Sequence, residues 1–276
     1  MTRRRSPLEW ALIGLLILNT LSVLLPLFLA LVSSFKTTRE IWNTPFALPA
    51  VFSLENYQKV LESGNFFVYF RNSFLVTFSS LLLILSFGAM AGYALGRYSF
   101  RWNNLVYVCF LAGLIFPAKL ALVPLFVQLR SMGLLDSHLG IVLVYAAGAT
   151  PAAVFMMTGF FRGLPADLDN AARIDGASEF QVFWKVMLPL VRPQLGIVGI
   201  YTTIPIWNDF LLPLVFLKSD RLKTVPQGLS LFFGEYSIDW GPLFAGLTIA
   251  ALPIVLLYIL LSEQFIKGMT AGAVKG

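Results

Sequence analysis

Charge is what this chain has little of. Only 12% of its 276 residues are Asp, Glu, Lys or Arg, while 58% are hydrophobic. An ordinary soluble domain carries about 25% charge. Mean hydropathy is +0.78. That balance all but excludes a soluble globular protein, and it excludes disorder, which needs the opposite composition. Cysteine and histidine are scarcer still, with Cys109 and His138 each alone of its kind. A disulfide framework and a His/Cys metal cluster made by this chain are therefore excluded. With one His and no acyl-transfer motif, a hydrolase triad lacks its parts, and His138 reads as a loop or cap residue. No G-x-x-x-x-G-K-[ST] loop occurs, so the chain shows no phosphate cradle of its own. What is abundant is apolar surface, including 25 Phe. The bilayer is the solvent for most of such a chain. The net charge of +6 then reflects Lys- and Arg-rich cytoplasmic loops rather than a nucleic-acid partner.

Six apolar stretches are long enough to cross, since a spanning helix needs about 20 residues. They run over about 10–33, 73–96, 104–129, 139–160, 195–217 and 241–262. The first follows Arg3, Arg4 and Arg5 but is too long for a signal-peptide core, and it reads as a retained helix. The Arg cluster puts the N-terminus in the cytoplasm, and six spans return the C-terminus to that side. The expected architecture is one all-α membrane domain over 1–276. Pro26, Pro117, Pro124, Pro151, Pro205, Pro213 and Pro253 interrupt spans, which membrane helices tolerate when neighbours satisfy the freed carbonyl. Gly88, Gly92 and Gly96 make a stripe at four-residue spacing that permits close helix packing within the bundle.

Between the fourth and fifth spans lies a charged segment, 162–192. It holds Arg162, Asp167, Asp169, Arg173, Asp175, Glu179, Lys185 and Arg192, four basic residues against four acidic. Pro165 is placed to open a helix. Leu164, Leu168, Ala171 and Ala172 fall on one helical face. Gly176 offers a left-handed stop. Ser178 with Gln181 makes a capping box for a second helix. Phe180, Phe183, Trp184, Met187 and Leu188 line that helix, and Pro189 closes it. A helix pair lying on lipid usually carries excess Lys and Arg. This balanced surface with projecting aromatics fits a protein socket better.

The run Asn170-Ala171-Ala172-Arg173-Ile174-Asp175-Gly176-Ala177, followed after the family's spacing by Leu188-Pro189, resembles the "EAA" loop of ABC importer permeases. The chain is most similar to the carbohydrate-uptake group. Trp207-Asn208-Asp209-Phe210, Gly133-Leu134-Leu135-Asp136 and the ending Gly272-Ala273-Val274-Lys275-Gly276 add to the likeness. It departs at one point: Asn170 stands where the family has Glu, with Asp169 beside it. The resemblance implies a type I importer permease fold in the cell membrane. It implies a permease that is not itself an enzyme and binds no cofactor. ATP and Mg are used by a partner ATPase, two copies of which act with a second permease subunit and an extracytoplasmic solute-binding protein. Coupling would run through Asp169, Asn170, Ala171, Ala172, Asp175, Gly176, Phe180, Leu188 and Pro189. The implied cargo is a sugar or oligosaccharide, or a related solute such as a glycerol phosphate or amino sugar. An ion-coupled transporter would want acidic or His relays within spans, and a membrane enzyme would want clustered His and acids. The chain has neither.

Two ionisable residues fall inside expected spans, Lys119 and Asp209. A charge there faces a cavity or a partner. Three readings stand open: a Lys119–Asp209 bridge, a solute-path lining, or a snorkelling Lys119 beside an Asp209 bonded to backbone. Trp207 and Asn208 offer a stacking face and amide donors suited to a polyol, and also serve as plain packing residues. In the outer loop, Phe232, Phe233, Gly234, Glu235 and Tyr236 form an aromatic tip. The resemblance implies that this tip reaches the binding protein. An aromatic belt at the membrane surface is the alternative.

Overall fold

The computed structural model of the chain describes residues 6–62, 65–115, 118–234 and 238–273. Among them the only extended pairing is one isolated bridge, Phe233 to Ile238. The rest is helix and turn. The helices are α1 (Pro7–Ser33), α2 (Thr38–Asn43), α3 (Glu55–Glu62), α4 (Phe66–Arg97), α5 (Asn103–Ile115), α6 (Leu122–Ser131), α7 (His138–Arg162), α8 (Asp167–Ile174), α9 (Glu179–Gln181), α10 (Leu188–Leu190), α11 (Arg192–Trp207), α12 (Leu211–Phe216), α13 (Val225–Leu229) and α14 (Trp240–Ala273). Two compact units emerge, one of residues 1–66 with 229–252, the other of 67–228 with 253–276.

In the first unit, α1 starts on a full capping box. Ser6 Oγ accepts from the Glu9 N–H at 3.2 Å, and the Glu9 carboxylate accepts from the Ser6 N–H at 2.9 Å. The helix then exposes Leu15, Leu16, Ile17, Leu18 and Leu21, a surface stable only in lipid. Beyond α1 the backbone is tied down by polar groups. Lys36 is fully buried, its ammonium donating to the carbonyls of Thr44 (2.9 Å) and Pro45 (3.2 Å). Asn56 Nδ2 donates to the carbonyls of Ser34 and Lys36. At Gly241 a Cβ would sit 2.7 Å from Asn56 Oδ1, so only glycine fits there.

In the second unit the core centres on α4, α7 and the start of α11. Ile84, Tyr93, Ile141, Ala153, Met157, Phe161 and Val198 are among its buried members. The glycine stripe does what its spacing predicts. A Cβ at Gly88 would lie 2.7 Å from Ala153 Cβ, at Gly92 2.6 Å from Met157 Cβ, and at Gly96 3.1 Å from Phe161 Cβ. α4 and α7 therefore lie in close contact along three turns.

Among the described residues, four helices are long and apolar enough to cross a membrane singly: α1, α4, α7 and the 240–260 part of α14. The other two expected spans are broken. The third becomes α5 and a second helical arm, inclined at 84°; Pro117 lies outside the described residues. The fifth becomes α11, of 16 residues, and the short α12, with 208–210 between them. Hydropathy averages across such breaks. Proline explains both restarts, since Pro124 and Pro213 each stand in the first turn of the helix that resumes. A proline ring presses on the carbonyl four residues back, so helix cannot run through from before it without a kink.

The charged segment also departs from expectation at its end. Pro189 does not close the second helix. Residues Val182–Met187 are π-helical, with the Leu188 N–H bonded to the carbonyl of Phe183, five residues back. The widened turn takes the carbonyl away from the proline ring. The chain passes through α10 and turns at Val191 directly into α11.

Candidate functional site

The 162–192 segment is built on one buried ion pair. α4 ends at Arg97, whose guanidinium meets the Asp169 carboxylate. Nε donates to Oδ2 at 3.3 Å, and Nη2 donates to Oδ1. The same guanidinium donates to the carbonyls of Phe161 (3.3 Å), Leu164 (2.9 Å) and Pro165 (3.0 Å). These carbonyls lie where α7 ends and the chain turns toward α8, where the helix leaves backbone acceptors short of partners. The two side chains are 7% and 6% exposed. Burial pushes the Asp169 carboxyl up, but the bonds from Arg97 outweigh it and hold the group below the ordinary carboxylate range. Arg97 thus fastens α8 to the ends of α4 and α7.

A second layer joins the two short helices. Arg173 donates to Asp169 Oδ2 (3.4 Å), to Asn170 Oδ1 (3.3 Å) and to both oxygens of Glu179 (2.8 and 3.2 Å). Tyr98 O–H also donates to Glu179. The bonds from Arg173, then Tyr98, keep the Glu179 carboxyl below its usual range. The turn between the helices is made by Gly176 at φ +84°, the left-handed region that glycine enters without strain. A Cβ there would meet nothing within 4 Å. Gly176 is thus required for its backbone angle rather than for want of space within this chain.

The two faces separate cleanly. Leu168, Ala172, Val182, Phe183 and Met187 join the core or pack on it. Outward go Ile174 (86% exposed), Phe180 (71%) and Trp184 (49%), with the Phe180 and Trp184 rings 5.9 Å apart. Ala171, placed on the inward face by periodicity, is exposed, as are Asn170, Asp175, Gly176 and Pro189; Leu188 is half-buried. Asp169 faces the other way from a docking residue, because its carboxylate is occupied within the chain. The structure adds Arg97, and it gives partners to Arg173 and Glu179, which the sequence offered only as charges. Their signal was the matched acids of the following loop, but no spacing rule pairs residue 97 with residue 169.

Within the spans, Asp209 is satisfied by two donors, Tyr145 O–H at 2.8 Å and the Leu211 N–H at 3.0 Å. It caps the resuming α12 and pins it to α7. Lys119 is exposed in a tight turn before α6, and among the described residues no ion pair joins it to Asp209. Trp207 is 5% exposed and packs edge-on to Phe70 at 5.6 Å, so its ring is not open as a stacking platform on this chain. Asn208 is exposed at the end of α11, its N–H bonded to Ile204 O and Ile206 O.

On the opposite loops, Asp136, at φ +55°, accepts from the N–H groups of Lys218 (2.8 Å) and Ser219 (2.9 Å) and from the Ser219 hydroxyl. Its carboxyl is held below the usual range by Ser219 above all. His138 Nε2 lies 3.0 Å from Leu222 O, to which it donates. Phe233 is exposed and bridges to Ile238, Phe232 is half-buried and Gly234 is exposed. Glu235 and Tyr236 lie outside the described residues.

Comparison with known proteins follows the same lines. Residues 84–270 match the family described as binding-protein-dependent transport system inner membrane component. The diacetylchitobiose uptake system permease protein NgcG of Streptomyces coelicolor is 41% identical, over 94% of this chain and 86% of its own. The arabinooligosaccharides transport system permease protein AraQ of Bacillus subtilis is 34% identical, over 93% and 92%. The multiple sugar-binding transport system permease protein MsmG of Streptococcus mutans is 32% identical, over 95% of each chain. A solved bacterial ABC transporter involved in import of the acidic polysaccharide alginate matches in fold at a TM-score of 0.82 and 22% identity, over 95% of this chain and 99% of that one. The chain belongs to the family of inner-membrane permease components of binding-protein-dependent transport systems.

Proposed function

We propose that this permease passes a sugar or oligosaccharide delivered by an extracytoplasmic binding protein, as one half of a heterodimer served by two ATPase subunits, one of which docks on the 162–192 segment of this chain. The carrying observation is the two-faced helix pair. Ile174, Phe180 and Trp184 are left bare on a loop whose other face is locked into the span bundle through Arg97 and Asp169. Three large apolar side chains on a neutral, water-facing loop cost free energy unless a partner covers them. A socket on an ATPase would feel each closure of its dimer and pass it to α4 and α7 through the Arg97 guanidinium. Alternating access by rigid-body motion follows. Both termini then lie in the cytoplasm. That relatives serve diacetylchitobiose, arabinooligosaccharide and multiple-sugar transport supports the carbohydrate class; the alternative cargo is a related solute such as a glycerol phosphate or an amino sugar.

The test places a single cysteine at 174 or 180 in a Cys109→Ser background and treats the assembled transporter with a short bifunctional crosslinker. A permease–ATPase adduct is expected from both positions. Its absence from both, with adducts formed elsewhere on the chain, overturns the docking face. The ligand that copurifies with the partner binding protein decides the cargo.

A further inference from the structure

A second site lies where α4 ends, α5 begins and α7 ends. The 97–104 turn and Arg162 enclose an open cavity of about 420 Å³. Its polar lining includes Arg97, Ser99, Arg101, Asn103, Asn104 and Arg162, and no Asp or Glu side chain lines it. Arg97 is spoken for by Asp169. The other two arginines are not neutralised by any ion pair among the described residues. Arg162 uses one donor on Leu95 O (3.2 Å) and lies 4.9 Å over the Tyr107 ring. Arg101 lies 5.2 Å over the Trp102 ring. Asn103 braces the turn through Leu95 O and Tyr98 O. The cavity therefore presents two guanidinium forks, each held by an aromatic face, with donors to spare and nothing anionic to meet them.

Its depth is fixed by the fold. α4 and α7 are both long and apolar enough to span a membrane, and both end at this cavity, which puts it at a membrane–water boundary. Next to it, α5 exposes Leu105 and Val108, and the turn exposes Phe100 and Trp102. A cationic cup that opens onto a lipid-facing helix and is flanked by interfacial aromatics has the form of a headgroup site. We propose that the cavity binds the phosphodiester headgroup of an anionic phospholipid, with Arg101 and Arg162 as its phosphate donors and α5 as the track for its acyl chains. A free phosphate anion shares the headgroup chemistry but makes no use of α5.

The test uses the complete transporter in nanodiscs holding equal phosphatidylglycerol and phosphatidylcholine, and counts lipids retained after mild detergent extraction by native mass spectrometry. The wild type should retain phosphatidylglycerol over phosphatidylcholine. Arg101→Gln should lower that preference about fivefold, the ~1 kcal/mol that one basic side chain contributes near an anionic surface. Asn104→Asp, which adds an anion to the cavity and removes no charged group, should lower it similarly. Equal retention of the two lipids by wild type, or an unchanged preference in both variants, overturns the site. Loss of the phosphatidylglycerol preference on adding inorganic phosphate at constant ionic strength assigns the cup to a soluble anion and overturns the lipid. The site does not depend on the docking face, so a failure of either leaves the other standing.

Discussion

At the scale of single residues, the side chain that organises the site is Arg97. It meets five acceptors, two on Asp169 and three backbone carbonyls. Asp169→Ala leaves the guanidinium buried without its counter-charge, which costs roughly 3–5 kcal/mol when a buried pair is broken from one side. The complex should melt several degrees lower, while Asn170→Ala, at an exposed position, should change little. The pH dependence has a definite sign. The folded-state pKa of Asp169 is depressed, so its stabilisation is complete above the unfolded value of about 3.9 and is lost as pH falls through the lower folded value. Melting curves should show this contribution constant from neutral pH to pH 5 and declining only below about pH 4. Decline already at pH 6 would mean that the carboxylate is not held by Arg97.

At the scale of elements, small residues decide where helices touch. Gly92→Ala places a methyl 2.6 Å from Met157 Cβ and 3.0 Å from the backbone behind it, an overpacking that costs about 1–3 kcal/mol. Gly159→Ala, on α7 with nothing within 4 Å, should be neutral or mildly stabilising; thermal melting of the purified permease distinguishes the two. Tyr145→Phe removes a donor from Asp209 and should cost about 1.5–3 kcal/mol, the usual value for a hydrogen bond to a charged group. Uptake per folded molecule then separates a strut from a solute contact, since only the latter lowers it. Much at this scale was legible in the sequence. The capping box at Ser178, the left-handed Gly176 and the Gly88–Gly92–Gly96 stripe are local rules with local readouts. The breaks in the third and fifth spans were not legible, because a hydropathy window averages over Pro124 and Pro213. Nor was the passage through Pro189, which depends on a π-helical turn that no composition rule announces. The Arg97–Asp169 contact is 72 positions long-range and needed the fold itself.

At the scale of the whole molecule, the charge-poor composition and the placement of the few charges express one design. The spans are left to lipid, and the ionic contacts gather where helices end. In the 162–192 segment Asp169 is turned inward to Arg97, most of the other charges stay exposed, and Ile174, Phe180 and Trp184 stand bare among them, the face that we propose an ATPase covers. The most direct measurement of that claim is copurification of the ATPase with a permease carrying Ile174→Asp and Phe180→Asp, in membranes where insertion of the permease is verified. The predicted result is normal insertion with the ATPase lost and uptake abolished. A full complement of ATPase, with uptake at the wild-type rate, would contradict it.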